Sequence, residues 1–498
     1  MSSPNNHRHV RVRLAPSPTG EVHIGTMWLA QFNWLYAKQQ GGKFILRIED
    51  TDQKRLVPGS VERLYEALAW YGFAPDEGPR EGGAYGPYVQ SERLTLYQDT
   101  AAKLVASGHA YHCFCTPQRL EEVRTNQAAQ KLPPRYDRTC RAVDPAEAQA
   151  RVMKGEPSTI RCKLPLTGTI THHDLVRGDV TFAWEQIDDS VILKSDGFPT
   201  YHLAVVVDDH LMEISHVFRA EEWLPSVPKH LFLYEALHWT PPHFAHFPLI
   251  LGTDRSKLSK RHGATTALSY RDDGFLPEAM QNFLLLMGWH PKGDTEVIST
   301  EQAIREFKIE DLHPAGAVFD RQKLEWLNGW YIRQMPIDDL RARLQYFWEL
   351  PEELRDDIEW QNRAISIVRD RLKTLRDIVA ASDFLIPRIW EERVPSIAVD
   401  LFIPKKGTTE STIDALEWMD NHLGTLNDPR DAATLKEGTI AAIAEAGRKN
   451  GDVLWPVRTA LSLLPNSPDV FDLIVTIGSI ESRRRIRSVI EALQRASR

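Results

Sequence analysis

The sequence predicts an α/β fold, in which a doubly wound parallel sheet carries an α+β insertion and is followed by all-α domains. Strand and helix patterns alternate over the first part of the chain, which favours a parallel sheet with helical crossovers. Short strands and polar turns replace this alternation between Tyr111 and about Asp196, and strand patterns nearly vanish after about Pro277. The 498 residues are enough for about three domains.

The first elements follow from apolar spacing. Residues Val10 to Leu14 alternate Val and Leu with Arg, which predicts a strand. Apolar residues at helical spacing predict a helix from Thr26 to Gln40, ended by a glycine pair. The segment KFILRIED is predicted as the second strand, and Ser60 is predicted to cap the second helix.

Further elements are predicted downstream. Ser91 is predicted to cap a helix that ends near Gly108. The segment YHLAVVVDDH is apolar without a break from Leu203 to Val207, which predicts a buried strand. Two shorter strands are predicted at Val217–Phe218 and Leu249–Leu251.

Composition excludes several classes of protein. No run of about 18 apolar residues is present, and the N-terminus is polar, so neither a membrane helix nor a signal peptide is expected. Four cysteines do not make a disulfide scaffold in a chain of this length. The net charge of -8 argues against a purely electrostatic nucleic-acid coat. We therefore expect a cytoplasmic protein with reduced thiols and no membrane partner.

The loop RLAPSPTGEVHIGT, from Arg13 to Thr26, lies between the first strand and the first helix. Open parallel sheets bind ligands at the carboxyl ends of their strands, and a helix N-terminus attracts phosphate. Gly25 lets a ligand approach the backbone, and His23 can donate a hydrogen bond to a phosphate oxygen. The alternative is a rigid turn with an incidental histidine.

The loop GTDRSKLSKRHG is the second candidate. Lys257, Lys260 and Arg261 stand among Gly, Ser and His without an apolar stripe. A solvated basic loop is one explanation. The other is a mobile arm whose lysines meet the charge that develops on a triphosphate in a transition state.

Together, the two loops resemble the two signatures of class I aminoacyl-tRNA synthetases, His-Ile-Gly-His and Lys-Met-Ser-Lys-Ser. The wider chain is similar to bacterial glutamyl-tRNA synthetases, in segments that follow the family's order over nearly its whole length. These segments are RLAPSPTG, RIEDTD, GPYVQSERLTLY, SDGFPTYHLAVVVDDHLM, FRAEEWLPSVPKH, KLSKRHG and FDRQKLEWLNGWYI.

This resemblance implies a two-step reaction with ATP and Mg²⁺. The α-carboxylate of L-glutamate attacks the α-phosphorus of ATP, and the glutamyl-adenylate is then transferred to the terminal ribose of tRNA(Glu). Positioning and charge stabilisation suffice, so no protein nucleophile is required. The resemblance also implies a monomer with four parts, namely a Rossmann-type catalytic domain (1–98 and 198–245), an inserted acceptor-binding domain (99–197), a stem-contact domain (246–335) and a helical anticodon-binding region (336–498).

Site residues follow from the same resemblance. The implied ATP-binding residues are His23, Gly25, Thr26, Lys257, Ser259 and Lys260. Three of them, His23, Lys257 and Lys260, are also implied as catalytic. The implied glutamate-binding residues are Arg13, Ala15, Ser17, Glu49, Tyr201 and Arg219. Contacts with tRNA are expected from Asp52, Arg371 and Arg376.

The chain departs from the family's motifs at three positions. Thr26 replaces the last histidine of the first signature, and Leu258 replaces the methionine of the second. Val205 stands where the family often has Asn, so its side chain cannot hydrogen-bond a ligand.

The cysteines raise the question of zinc. Some relatives bind it with Cys-x-Cys followed by Cys-x-His, and Cys113, Cys115 and Cys140 match three of those positions. Ala142 replaces the histidine, which leaves Tyr136 as the remaining candidate. Because structural zinc prefers four ligands of the thiolate or imidazole type, no metal is expected here.

Other functions remain open at this stage. The enzyme could also charge tRNA(Gln), or the chain could be a tRNA-binding relative without catalysis. The helical C-terminal part disfavours two further alternatives. One is a glutaminyl enzyme, and the other is a shorter relative that glutamylates a tRNA base. An unrelated nucleotidylyltransferase is disfavoured by the late lysine loop.

Overall fold

The computed structural model describes residues 9–259, 266–426 and 431–497. No helix within these ranges is long and apolar enough to cross a membrane. The chain divides into two compact units. The first comprises Met1–Tyr270 and Met280–Arg321, and the second comprises Arg271–Ala279 and Gln322–Arg498.

The strands form three sheets. Their bounds are β1 Arg11–Leu14, β2 Lys43–Leu46, β3 Ala110–Cys113, β4 Thr159–Cys162, β5 Thr169–Asp174, β6 Gly178–Ala183, β7 Val191–Leu193, β8 His216–Ala220, β9 His243–Phe247, β10 Ile250–Leu251 and β11 Ala317–Val318. The main sheet has the order β2-β1-β8-β9-β5-β6, a second has the order β3-β4-β7, and β10 pairs with β11.

The helices of the first part of the chain are α1 Ile24–Gln39, α2 Ser60–Trp70, α3 Leu94–Ala106, α4 Pro117–Ala129, α5 Pro145–Met153, α6 Tyr201–Leu211, α7 Val227–Ala236, α8 Ser269–Asp272, α9 Pro277–Leu286 and α10 Thr300–Glu306. Those that follow are α11 Arg321–Gln334, α12 Ile337–Leu344, α13 Glu352–Arg355, α14 Ile358–Val368, α15 Asp377–Ser382, α16 Pro387–Arg393, α17 Thr409–Thr425, α18 Ala432–Glu445, α19 Asn450–Ser462, α20 Val470–Ile477 and α21 Ser479–Ala496.

The main sheet confirms the predicted α/β class. Strands β1, β2, β8, β9 and β5 run parallel to their neighbours, and β6 closes the edge as an antiparallel hairpin with β5. This hairpin belongs to the main sheet although it lies within the segment 99–197. The second unit is helical and has its own apolar core, in agreement with the predicted all-α region.

The prediction of a strand at YHLAVVVDDH is wrong, because the segment forms helix α6. Residues 203–207 are all at least 98% buried, since α6 packs in a core with side chains of α3, α7 and the β3-β4-β7 sheet. A continuous apolar run does not separate a strand from a helix that is buried on every side.

Two predicted helix caps are also wrong. Gly59, at φ 78°, is the N-cap of α2, and Ser60 is the first helical residue. Ser91 lies in a short 3₁₀ turn before α3, which begins at Leu94. The backbone N–H of Ser91 donates to Asp50 Oδ1 at 2.8 Å. The remaining predicted strands form, although Leu249 lies outside β10.

Candidate active site

A cavity of about 1100 Å³ opens in the first unit at the carboxyl ends of β1 and β8. It brings together predicted residues that lie far apart in the sequence. Those that line it are Arg13, Ala15, Ser17, His23, Gly25, Thr26, Glu49, Asp52, Tyr201, Arg219 and Lys257. Ser259 is not among its lining residues, and Lys260 lies outside the described part of the chain.

The first loop ends at the N-terminus of α1, where His23 is the N-cap. His23 Nδ1 accepts a hydrogen bond from the backbone N–H of Gly25 at 3.0 Å. Burial, together with the charge of Lys257, lowers the pKa of His23, so the ring is neutral near pH 7. Since Nδ1 is an acceptor, Nε2 carries the proton and is the atom that can donate to a ligand.

The absence of a side chain at Gly25 leaves space for the His23 ring. A Cβ on Gly25 would lie 3.2 Å from His23 Nδ1, which would crowd the hydrogen-bonded ring. The partial positive charge at the start of α1 suits a phosphate group.

The second loop reaches the same cavity. The backbone N–H of Leu258 donates to the Ile250 carbonyl at 2.9 Å, and Leu258 is buried, as expected for a residue that replaces methionine. Lys257 Nζ lies 2.6 Å from Glu222 Oε2. Lys257 therefore lies on the cavity wall, where its ammonium group could bind a phosphate group.

Buried ion pairs hold Arg13 and Glu49 at the end of the cavity away from the two loops. Arg13 Nε donates to Asp209 Oδ1 at 3.1 Å. Arg47, fully buried, donates to Asp209 Oδ1 at 2.7 Å and to Glu49 Oε1 at 3.0 Å. Burial raises the pKa of Glu49 against the opposing effects of Arg47 and Arg13. This end of the cavity offers a carboxylate and guanidinium groups to a zwitterionic ligand.

Sequence reasoning missed Arg47 and Asp209. Arg47 stands two residues before Glu49, so the strand alternation in RIED was an available signal. Asp209 lies two residues after the apolar run, in the segment that was predicted as a strand, and its carboxylate meets Arg13 from helix α6.

Arg219 has an unsatisfied nitrogen. Its Nε donates to His246 Nε2 at 2.9 Å, and its Nη1 donates to Tyr201 Oη at 3.0 Å. Nη2 is buried without a hydrogen-bond partner among the described residues. Burial lowers the pKa of Arg219, so the site gains from a negatively charged ligand. A carboxylate in the cavity would satisfy Nη2.

Val205 does not line the cavity. It lies one turn after Tyr201 in α6, is 2% exposed, and packs in the apolar core around that helix.

The structure brings together all four groups considered for zinc. The sulfur atoms of Cys113, Cys115 and Cys140 lie within 4.8 Å of one another, the one such group of potential ligands within the described ranges. Tyr136 Oη lies 3.3 Å from the Cys113 sulfur and 3.4 Å from the Cys115 sulfur. The arrangement could hold a metal ion, and its hydrogen bonds also account for a cluster of reduced thiols.

Protonation differs among these thiols. Burial would raise the pKa of Cys113, but hydrogen bonding to Tyr136 and the charge of Arg161 lower it to about 7. Burial raises the pKa of Cys115 to about 11. Cys113, which is buried, is therefore partly deprotonated near neutral pH.

The residues expected to contact tRNA are exposed. Asp52 lies at the cavity, whereas Arg371 and Arg376 lie in the second unit. The basic stretch RRRIR is engaged inside its own unit. Its Arg485 is fully buried and donates to the Phe384 and Leu461 carbonyls. Arg485 therefore has a structural role within its unit.

A parallel sheet with a ligand cavity at its carboxyl edge, a His-Ile-Gly helix start and a lysine loop define a class I aminoacyl-tRNA synthetase. Family models agree. Residues 9–326 match the catalytic domain of class I tRNA synthetases (E and Q), and residues 322–490 match an anticodon binding domain. The chain belongs to this glutamate and glutamine family.

Relatives match over nearly the full length. A glutamate–tRNA ligase of Dehalococcoides mccartyi is 46% identical over 97% of this chain and 98% of its own. That of Moorella thermoacetica is 41% identical over 98% of each. A crystal structure of a glutamate tRNA ligase from Elizabethkingia meningosepticum in complex with its amino acid has a TM-score of 0.86 and 34% identity, covering 98% of this chain and 100% of that one.

Proposed function

We propose that this chain is a glutamate–tRNA ligase, which activates L-glutamate with ATP and transfers it to the 3′-terminal ribose of tRNA(Glu). The observation that carries the proposal is the buried, unsatisfied Nη2 of Arg219 in the same cavity as His23 and Lys257. One end of the cavity suits a side-chain carboxylate, and the other suits phosphate groups.

The residues act by positioning and charge. We assign Arg219 and Tyr201 to the glutamate side chain, Glu49 to the ammonium group, and Arg13, Ala15 and Ser17 to the surrounding amino-acid contacts. The α-carboxylate oxygen then attacks the α-phosphorus and pyrophosphate leaves. A ribose hydroxyl of the tRNA attacks the activated carbonyl in the second step, and AMP leaves.

The phosphate end is assigned to the two loops. His23 Nε2–H and the helix start at Gly25 and Thr26 would contact ATP, and Lys257 would oppose the charge that builds on the phosphates. Ser259 and Lys260 are assigned to the same role from the signature that they match. Mg²⁺, which binds to the phosphates of ATP, supplies further neutralisation of their charge.

For the tRNA, we assign residues 99–197 to the acceptor end, 246–335 to the stem and 336–498 to the anticodon arm, with contacts from Asp52, Arg371 and Arg376. The match of residues 322–490 to an anticodon binding domain supports the last of these ranges. We further propose that the enzyme works as a cytoplasmic monomer.

Charging assays with purified tRNA(Glu) and tRNA(Gln), each with glutamate and with glutamine, test the function. We expect glutamylation of tRNA(Glu) and ATP–pyrophosphate exchange that depends on glutamate. A chain that binds tRNA(Glu) without exchange or charging would be a non-catalytic relative. Glutamylation of tRNA(Gln) at a comparable rate would make the enzyme non-discriminating.

A further inference from the structure

Arg219 is held by a chain of two buried side chains, in which Arg219 contacts His246 and His246 contacts Asp174. Arg219 on β8 and His246 on β9 are direct partners in the register of the parallel sheet. Asp174 is the last residue of β5, the strand on the other side of β9. All three are at most 5% exposed. The sheet therefore sets the spacing of this chain of side chains.

One oxygen of Asp174 is committed to the backbone. Asp174 Oδ1 accepts hydrogen bonds from the N–H groups of Val176 and Arg177, each at 3.0 Å, and of His246 at 3.2 Å. Its other oxygen, Oδ2, lies 2.5 Å from His246 Nδ1. Since three donors surround Oδ1, the carboxyl group has one orientation available, with Oδ2 towards the imidazole.

The tautomer of His246 follows from its two neighbours. Arginine is always a donor, so the contact of 2.9 Å from Arg219 Nε makes His246 Nε2 an acceptor. The ring proton must then reside on Nδ1 and point to Asp174 Oδ2. Burial, together with the charge of Arg219, lowers the pKa of His246 to about 4, which agrees with a neutral ring at neutral pH.

We infer that Asp174 and His246 are positioning residues for the recognition of the substrate's side-chain carboxylate. Asp174 locks the tautomer of His246 that offers an acceptor to Arg219 Nε. With Nε bound to His246 and Nη1 bound to Tyr201, the guanidinium plane is set and Nη2 is left for the substrate. This inference rests on the proposed function, because it assigns the ligand of Nη2 to glutamate.

The substitution Asp174→Asn tests whether Asp174 sets the tautomer of His246, because it leaves the shape of the side chain unchanged. The three backbone N–H groups require the amide oxygen at the position of Oδ1, so the NH₂ group must face His246 Nδ1. His246 then has to accept at Nδ1 and carry its proton on Nε2, where it meets the Nε–H of Arg219 donor to donor. An inverted tautomer of this kind disables a histidine whose geometry is otherwise intact.

We expect Asp174→Asn to raise KM for glutamate about tenfold or more in ATP–pyrophosphate exchange with tRNA(Glu) present, since a misplaced charged donor weakens binding on this scale. KM for ATP should stay within about twofold, because the phosphate end is untouched. Asp189→Asn is the matched control. Asp189 is also fully buried, but its carboxylate accepts from Tyr111 and Arg141 and takes no part in the contacts of His246 or Arg219. An unchanged KM for glutamate in Asp174→Asn, or an equal rise in Asp189→Asn, would overturn the inference.

Variants at position 246 supply a second test if Asp174→Asn folds poorly. His246→Gln keeps an acceptor for Arg219, so we expect it to retain more affinity for glutamate than His246→Leu, at similar KM for ATP. Equal affinities would contradict the inference.

A third measurement does not depend on activity. In ¹⁵N-histidine spectra of the wild-type chain, assigned by loss of the signal in His246→Gln, Nδ1 of His246 should be protonated and Nε2 should not. The opposite tautomer would overturn the inference even if the chain is a glutamate–tRNA ligase. Conversely, absence of glutamate-dependent exchange in the wild type with tRNA(Glu) present would remove the proposed function, while the spectra would still report the tautomer of His246.

Discussion

Lys257 Nζ and Glu222 Oε2 form an ion pair of 2.6 Å on the wall of the cavity, with 61% and 46% of their side chains exposed. The lysine that matches the second signature is therefore paired with a carboxylate of the FRAEEW segment in this structure. A triphosphate would compete with Glu222 for the same ammonium group.

Glu222→Gln should leave stability almost unchanged, because an exposed pair contributes about 0–1 kcal/mol. It should lower KM for ATP by a small factor, since the competing negative charge is removed. Thermal unfolding and pyrophosphate exchange at varied ATP measure the two effects. A higher KM for ATP would indicate that Glu222 helps to bind the nucleotide.

Lys260→Ala should slow adenylate formation while the fold stays intact. Loss of one group that stabilises transition-state charge typically lowers the rate by about a hundredfold or more. The measurement is ATP–pyrophosphate exchange in the presence of tRNA(Glu), with Lys103→Ala on the exposed side of α3 as the control. A rate within about twofold of wild type would remove Lys260 from the mechanism.

Arg219→Gln should lower kcat/KM for glutamate and narrow the preference over glutamine. A guanidinium pairs with a carboxylate, whereas an amide would place its NH₂ donors against arginine donors. Sites built on such pairing discriminate by about a thousandfold or more. Charging of tRNA(Glu) with each amino acid checks this, and Arg388→Gln on an exposed helix face is the control. An unchanged preference would make Arg219 a structural residue.

Stability should decline as the pH falls below about 6.5. The pKa of His246 is about 4 in the folded chain, against an ordinary value of 6.5, because the neutral ring is buried. The unfolded chain therefore binds more protons between these values, so the stabilisation is complete above pH 6.5 and is lost towards pH 4. Each such histidine contributes a slope of about 1.4 kcal/mol per pH unit.

His202 and His216 have pKa values lowered by burial to about 3 and about 4, so they add to the same trend. Urea unfolding between pH 7 and pH 5 measures the slope. His246→Gln removes one titrating group and should make the slope shallower. An identical slope in that variant would show that His246 does not titrate between the two states.

The cysteine cluster should contain reduced thiols and no stoichiometric zinc. A histidine is missing at Ala142, and the pKa of Cys115 is raised, so the ligand set is weaker than four thiolates or imidazoles. Metal analysis of the purified chain, and thermal unfolding with and without a chelator, provide the test. One zinc per chain, lost together with stability on chelation, would establish Cys113, Cys115, Cys140 and Tyr136 as a metal site.

Much of the site was predictable because signature residues stand at loops that the strand order brings to one edge. His23 follows β1 and Arg219 lies in β8, which are neighbours in the main sheet, and Lys257 follows β10 of the two-stranded sheet. All three residues line one cavity. The strand pattern at β1 and the helical pattern at α1 were also predicted correctly, since each has an apolar period of its own.

The local sequence pattern could not predict which side chains these residues contact. The run Leu203–Val207 has no period, and it forms a helix because surrounding elements bury it on every side. Asp209, Arg47, His246 and Asp174 gain their roles from contacts between residues up to 196 positions apart, as between Arg13 and Asp209. The amino-acid sequence predicted the family and eleven of the residues that line the cavity. The register of the sheet and the packing of α6 established how each charge is held, because hydrogen-bond partners are set by distance in space, which spacing along the chain does not encode.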